Sequence, residues 1–176
     1  MAGSIMATTT PNNGWAVPTS TDYVKDGAVA IETLGDAIDA SVGTGLLAWT
    51  SFTPTFTNFS LGNGTIQRAR YAKLGKTVVQ EVAILLGSTS SVTGLITVSL
   101  PVTAAYAGGR TIWTNHMFAG TATSVGSVNM ATTTTVQMFA LNTAGTYTSN
   151  VSTSSTIPGT WTTSNYFSYQ MTYEAA

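Results

Sequence analysis

The stretch from Asp22 to Val42 is the only part of this sequence with a helical pattern, and it constrains what the rest of the chain can do. Apolar residues recur in it every three to four positions, as in a helix that associates through one face. Such a helix is about 30 Å long, at about 1.5 Å per residue. We expect its apolar seam to consist of Val24, Ile31, Leu34, Ile38 and Val42.

This helix is weak by itself. Gly27 and Gly35 each cost roughly 0.5–1 kcal/mol relative to alanine, and Leu34 is its longest apolar side chain. We therefore expect this helix barely to form alone in water. Because β-branched residues beside small ones let several helices pack closely around one axis, the sequence predicts a short parallel bundle. The alternative is an amphipathic helix that lies on its own domain.

Residues 1–21 are rich in Thr, Pro, Asn and Gly and have no periodicity, which predicts an extended arm. An indole in such an arm is costly to leave in water. We therefore expect Trp15, together with Ala16 and Val17, to dock into another subunit or a larger scaffold. The alternative is that Trp15 folds back on its own helix.

From Trp49 onward the pattern changes to period two, with turn signals between the segments. The last segment alternates Phe167, Tyr169, Met171 and Tyr173 with polar residues, so this face should meet a core. The pattern predicts a mainly β chain, with an antiparallel jelly-roll-like β-sandwich over 44–176 that follows the arm (1–21) and one short coiled-coil helix (22–43). Strands are expected at 52–58, 65–73, 76–87, 94–100, 110–119, 121–130, 134–141, 146–152 and 165–174.

Charge is scarce and unevenly divided. Only 7 % of the residues are charged, whereas there are 34 Thr and 17 Ser. Residues 1–47 carry +1 − 5 = −4 and residues 48–176 carry +5 − 2 = +3. This balance excludes a nucleic-acid-binding protein, which needs a dense basic surface. Four cations within nine residues form either a solvated sheet edge or a polyanion site: Arg68, Arg70, Lys73 and Lys76.

The residues that enzymes and metal sites require are nearly missing. The chain has no cysteine, a single histidine at 116, and in the β region only the acids Glu81 and Glu174. A catalytic triad or a carboxylate pair would have to recruit acids from the helix. We therefore expect no catalytic residues, no metal site and no cofactor. No apolar stretch approaches the 20 or so residues that span a bilayer, so membrane insertion is not expected either.

Saccharide recognition uses hydroxyl and amide groups beside an aromatic ring, and the predicted loops contain such residues. The candidates are Tyr106, Tyr147, Trp161 and Asn165. The alternative is that the abundant threonines reflect only their preference for strands.

Two segments carry a resemblance to a known group of proteins. Residues 14–43, GWAVPTSTDYVKDGAVAIETLGDAIDASVG, resemble the amino-terminal segment of fibre and minor tail proteins of tailed bacteriophages that infect actinobacteria. Residues 49–104 resemble the knob domain of such proteins, where a tryptophan is followed by TP, LGNG, RY and GK. The resemblance implies a homotrimer with a helical stalk and three β-sandwich heads. It transfers no receptor and no binding residue.

The pattern and the resemblance together predict a virion structural protein. Our first expectation is a homotrimeric tail fibre or minor tail protein that attaches through its arm to other virion proteins and contacts a host cell-wall glycan. The second is a capsid decoration protein or head fibre, since this chain has almost no shaft. The third is a free carbohydrate-binding module, against which the first residues argue because they lack the pattern of a signal peptide.

Overall fold

The computed structural model describes residues 8–11, 14–19, 23–43, 48–108 and 112–176. It divides the chain into two compact units, Met1–Ala48 and Trp49–Ala176.

A small β-hairpin opens the first unit. Strands β1 (Thr8–Thr9) and β2 (Ala16–Val17) pair antiparallel. The turn between them is held by the Thr10 N–H, which donates to the Trp15 carbonyl at 2.8 Å, and by the Thr10 hydroxyl, which accepts from the Trp15 N–H at 3.0 Å. The prediction of an extended arm is therefore wrong for this segment. The turn residues of PNNG at 11–14 were the signal for the hairpin.

The described residues contain one helix, α1, which spans Val24–Gly43. It begins two residues later than predicted, and Asp22 lies outside the described residues. Asp26 lies in its first turn, where a negative charge is favourable at the amino end of a helix. The hydroxyls of Thr33 and Ser41 donate to the carbonyls four residues earlier, each at 2.8 Å, so both are hydrogen-bonded within the helix.

The second unit is one antiparallel sheet. Its strands are β3 (Thr50–Ser51), β4 (Phe56–Ser60), β5 (Thr65–Leu74), β6 (Thr77–Leu85), β7 (Ser91–Ser99), β8 (Ile112–Ala119), β9 (Ala122–Thr132), β10 (Thr135–Asn142), β11 (Ser149–Ser152) and β12 (Tyr166–Glu174). The order across the sheet is β3-β5-β6-β12-β8-β9-β10-β7-β4, and β11 pairs with the far half of β10. Strand β12 joins the β5–β6 hairpin to the β8–β9–β10 meander.

The sheet curls so that β4, at the end of the sheet order, lies over β12 in the middle of the sheet. Phe59 on β4 meets Phe167 on β12 edge to face, with ring centroids 5.1 Å apart, although four strands separate β4 from β12 in the sheet order. The core between these layers contains the predicted face of the last strand, Phe167, Tyr169, Met171 and Tyr173, all buried. The prediction of a mainly β, antiparallel chain is thereby confirmed, and its curled sheet is consistent with the β-sandwich class.

Most of the predicted strands of the second unit coincide with observed ones, and the main shift is at the first. The predicted strand 52–58 is observed as β4 at Phe56–Ser60, preceded by the two-residue β3. Pro54 explains the break, because it has no N–H to contribute to a ladder.

The turn LGNG at 61–64 ties two loops together. The Asn63 N–H donates to the Thr89 hydroxyl at 2.8 Å, and Asn63 Oδ1 accepts from the Thr89 N–H at 2.9 Å. Gly62 has a φ of 54°, and a Cβ on it would overlap Thr89. The motif is therefore needed to hold the 61–64 turn against the loop at 86–90.

The strand register gives the second unit two ends. At one end, the Lys76 end, lie the β5–β6 turn, residues 100–108 and the carboxyl terminus. At the opposite end, the Asn63 end, lie residues 61–64, 86–90, 120–121 and 143–148. Because Thr50 pairs with Tyr71 near the close of β5, the chain reaches the sheet from the Lys76 end.

Candidate functional site

The predicted seam of α1 is largely uncovered. The side chains of Ile31 and Ile38 are 63 % and 41 % exposed, whereas Leu34 is half-buried. The side chains of Val24 and Val42 lie outside the described ones. Apart from the adjacent residues and backbone of the helix itself, no described atom lies within 4 Å of where a Cβ on Gly27 or Gly35 would stand. This helix therefore presents apolar surface and open backbone that nothing in its own described unit covers.

The predicted anchor residues all lie in or beside the hairpin. Trp15, Ala16 and Val17 are half-buried, and β2 lies next to α1. This arrangement resembles the alternative in which the arm folds back toward its helix, and it leaves part of the Trp15 ring available to a partner.

Trp161 and Asn165, two of the four glycan candidates, are engaged in internal contacts. Trp161 Nε1 donates to the carbonyls of Ser154 at 2.9 Å and Ile157 at 3.3 Å. Asn165 is 2 % exposed, and its Oδ1 accepts from the N–H groups of Thr162 at 2.7 Å and Gly120 at 2.8 Å. Their polar atoms hold the Asn63 end together.

We expect Asn165→Ala to lower the free energy of unfolding by about 2 kcal/mol, because the N–H groups of Thr162 and Gly120 lose their acceptor. Urea unfolding of the two proteins measures the difference. Asn142→Ala is the control, since its Oδ1 accepts one bond, from the Ala144 N–H, at an exposed turn. Loss of glycan retention with unchanged stability would instead make Asn165 a binding residue.

The other two glycan candidates are exposed but lie at opposite ends of the second unit. Tyr106 is 69 % exposed and belongs to the Lys76 end, whereas Tyr147 is 85 % exposed in the loop at 143–148. The two ends are far apart, since residues 165 and 173, which lie near opposite ends of β12, are separated by about 26 Å at about 3.3 Å per residue. The four candidates are therefore not brought together into one site.

Two of the four cations of the basic edge are paired. Arg68 and Arg70 both bind Glu81, at 3.0 and 2.8 Å, and the Arg70 guanidinium also lies 4.4 Å from the centre of the Trp49 ring. Lys73 and Lys76 remain exposed. With two of its four cations occupied by one carboxylate, this edge is better explained as a solvated ion-pair network than as a polyanion site.

His116 lies half-buried on β8, with its ring 5.2 Å from that of Tyr166. Among the described residues, no three His, Asp or Glu side chains gather where a metal ion could bind. Within the same residues, no helix is long and apolar enough to cross a membrane.

A groove at the Lys76 end is not predicted by the sequence. Strand β12 pairs with β8 only from Tyr166 to Tyr169, after which the two strands diverge. The opening has a volume of about 580 Å³ and is lined by Lys76, Thr77, Ala104, Tyr106, Trp113, Met130, Thr172, Tyr173 and Glu174. The sequence predicts a strand at 110–119, and the end of a ladder leaves no mark in the sequence.

The buried tyrosine in the wall of this groove, Tyr173, is neutral at physiological pH. Burial raises the pKa of Tyr173 to about 12, against a smaller opposing effect of the hydrogen bond that its hydroxyl donates to the Val102 carbonyl at 2.9 Å. The inner wall of the groove therefore carries no charge from this ring. Burial also raises the pKa of Tyr169, which does not line the groove and whose hydroxyl accepts from Gln80 Nε2 at 3.0 Å.

Comparison with protein-family models, with curated proteins and with solved structures gave no match to this chain.

Proposed function

We propose that this chain is a structural protein of a phage virion, a homotrimeric fibre or minor tail protein. In this proposal its amino-terminal hairpin attaches to other virion proteins and its β unit is presented to the host surface. The observation that carries the proposal is the uncovered apolar seam of α1, in a chain whose β unit folds separately. A second copy of the same helix is the partner that such a seam fits, because its small and β-branched residues allow close parallel packing.

The finer fold assignment belongs to the same proposal. We assign α1 to a short three-stranded coiled coil and the β unit to the jelly-roll-like sandwiches. The contact of Phe59 with Phe167 across the curled sheet supports a two-layered head. The phage-type sequence LGNG also has a structural purpose, since it ties the loops of the Asn63 end.

Adhesion to a host glycan follows from this architecture. A trimer carries three copies of any weak site, and linked sites gain avidity on a repetitive surface. Hydroxyl-rich loops with exposed tyrosines, among them Tyr106 and Tyr147, are suited to weak contacts with saccharides. Cell-wall polysaccharide supplies the repetition.

A capsid decoration protein or head fibre is the second candidate. It is favoured by the short connection between the units, because α1 ends at Gly43 and the first strand of the sheet begins at Thr50. A chain with so little shaft suits a position close to the particle surface. A free carbohydrate-binding module is the third candidate, and it has no use for the apolar seam.

Immunogold labelling of intact virions with an antibody to residues 49–176 separates these functions. Label at the tail tip supports the host-recognition fibre, and label spread over the capsid supports the decoration protein. Particles that carry no label, in a preparation where the antibody detects the purified protein, would contradict both.

Trp15→Ala should leave the trimer intact but lower its incorporation into particles severalfold, because the half-buried indole is the largest apolar group of the hairpin. Quantitative immunoblotting of purified virions measures the effect. Tyr147→Ala removes an exposed ring from the other unit and should be incorporated normally. Normal incorporation of the Trp15 variant would refute the anchor.

A further inference from the structure

The groove at the Lys76 end combines an apolar inner surface with a polar rim. Trp113, Tyr173 and Met130 supply the inner surface, and Tyr106 stands exposed beside it. Its volume of about 580 Å³ lies within the ~300–1,000 Å³ typical of small-molecule sites. The opening is thus large enough for a ring-sized ligand and offers aromatic faces to it.

The rim side chains are free to bind a ligand. Within the described part of the chain, no hydrogen bond or ion pair engages the side chains of Lys76, Thr77, Thr172, Glu174 or Tyr106. Two hydroxyls, a phenol, an ammonium and a carboxylate therefore surround an aromatic opening. Their charges are +1 and −1, so the groove does not select an ion by net charge.

The backbone of β12 adds a donor and an acceptor. Alternate residues of an antiparallel strand direct their N–H and C=O groups to opposite neighbours. The Ala175 N–H donates to the Lys76 carbonyl on the β6 side, whereas the Glu174 carbonyl accepts from the Ala105 N–H on the other side. Thr172, two residues before Glu174, therefore directs its backbone groups toward the groove, where the β8 ladder has ended.

We propose that this groove binds one or two units of a neutral hexose-type saccharide. The apolar face of a sugar ring packs against Trp113 and Tyr106, and its hydroxyls bond the rim side chains and the Thr172 backbone. This inference rests on the proposed adhesion to glycan and names the site and the ligand class for it. It also separates Tyr106, which belongs to the site, from Tyr147, Trp161 and Asn165, which do not.

A peptide strand fits this groove less well than a saccharide. Addition of a strand to a sheet edge needs several consecutive residues with free backbone groups. The exposed edge of β12 is short, because Tyr169 is still paired with Asn115 and the Glu174 carbonyl is already bonded to Ala105. Aromatic faces ringed by hydroxyls match the alternating apolar faces and hydroxyl edges of a sugar ring.

The test is titration of the full-length protein with maltotriose, cellotriose, mannotriose and chitotriose. Binding is measured by calorimetry and by the shift of the Thr172 amide resonance. We expect at least one trisaccharide to bind and to shift that resonance. Tyr106→Ala should weaken its binding about tenfold or more and leave the melting temperature unchanged, because the ring is largely exposed. The matched control Tyr147→Ala removes a similarly exposed ring at the opposite end and should bind like the wild type.

Two results would overturn the inference. One is that none of the four trisaccharides binds at millimolar concentration. The other is that a trisaccharide binds equally well to the Tyr106 variant, or loses affinity in the Tyr147 variant, which would place the site elsewhere. Neither result bears on the virion function, which is decided by the labelling of particles.

Discussion

Ile31→Asp should convert the proposed trimer into monomers at micromolar concentration. In a trimer the Ile31 side chains of three copies meet at the axis, and burying each is worth about 1.5–3 kcal/mol. Replacing them with three carboxylates removes this term and adds desolvation and like-charge repulsion. The dissociation constant should rise at least a thousandfold, at about 1.4 kcal/mol per tenfold change. Sedimentation velocity of the wild-type and variant chains measures it.

Val29→Asp is the matched control for this experiment. Val29 is also β-branched and is 61 % exposed, against 63 % for Ile31, but two residues along a helix turn the side chain by about 200°. Both substitutions add the same charge to a surface position of the single chain, where such changes usually cost within about 0.5 kcal/mol. An intact trimer of the Ile31 variant, or equal dissociation of both variants, would contradict the seam.

Gly126→Ala should severely destabilise the second unit. Gly126 lies on β9, and a Cβ there would overlap the Phe139 carbonyl on β10 and crowd Asn115 Oδ1. Asn115 reaches across this strand, since its Nδ2 donates to the carbonyls of Ser127 at 2.9 Å and Phe139 at 3.1 Å. The methyl group therefore breaks both a ladder and a buried polar contact, at a cost of about 3 kcal/mol or more.

Thermal unfolding measures this loss, and we expect the melting temperature of the second unit to fall by about 10 °C. Gly145→Ala is the control in the same unit, because the nearest atom to its added Cβ, the Tyr147 carbonyl oxygen, lies at an ordinary 3.5 Å. A Gly126 variant that unfolds like the control would show that β9 and β10 can separate without cost, which contradicts the pairing of Gly126 with Ala140.

The strand pattern of the second unit could be predicted from the sequence because one face of each strand meets the core. Period-two alternation places Phe167, Tyr169, Met171 and Tyr173 on that face, and all four are buried. The order of strands could not be predicted in the same way. The insertion of β12 between β6 and β8 depends on contacts between residues far apart in the chain, such as Gln80 with Tyr169 on one side and Phe118 with Tyr166 on the other.

The candidate site was harder to predict than the fold. Tyr106 and Asn165 both lie outside the strands and are both residue types that bind saccharides, so composition does not distinguish them. Burial distinguishes them, because Asn165 Oδ1 accepts hydrogen bonds from the Thr162 and Gly120 N–H groups, whereas the Tyr106 side chain is largely exposed. The groove itself arises where two strands diverge, and its residues come from five separate segments of the chain.

The termini of the β unit have a practical consequence for protein engineering. The chain reaches the sheet from the Lys76 end, and Ala175 and Ala176 also lie there. Ala175 is buried, and the Ala176 N–H donates to the Thr103 carbonyl at 2.9 Å. A tag fused directly after Ala176 would strain this hydrogen bond and crowd the groove. The loop at 143–148 is the better place for an epitope or a fluorophore, because it is exposed throughout and lies at the opposite end.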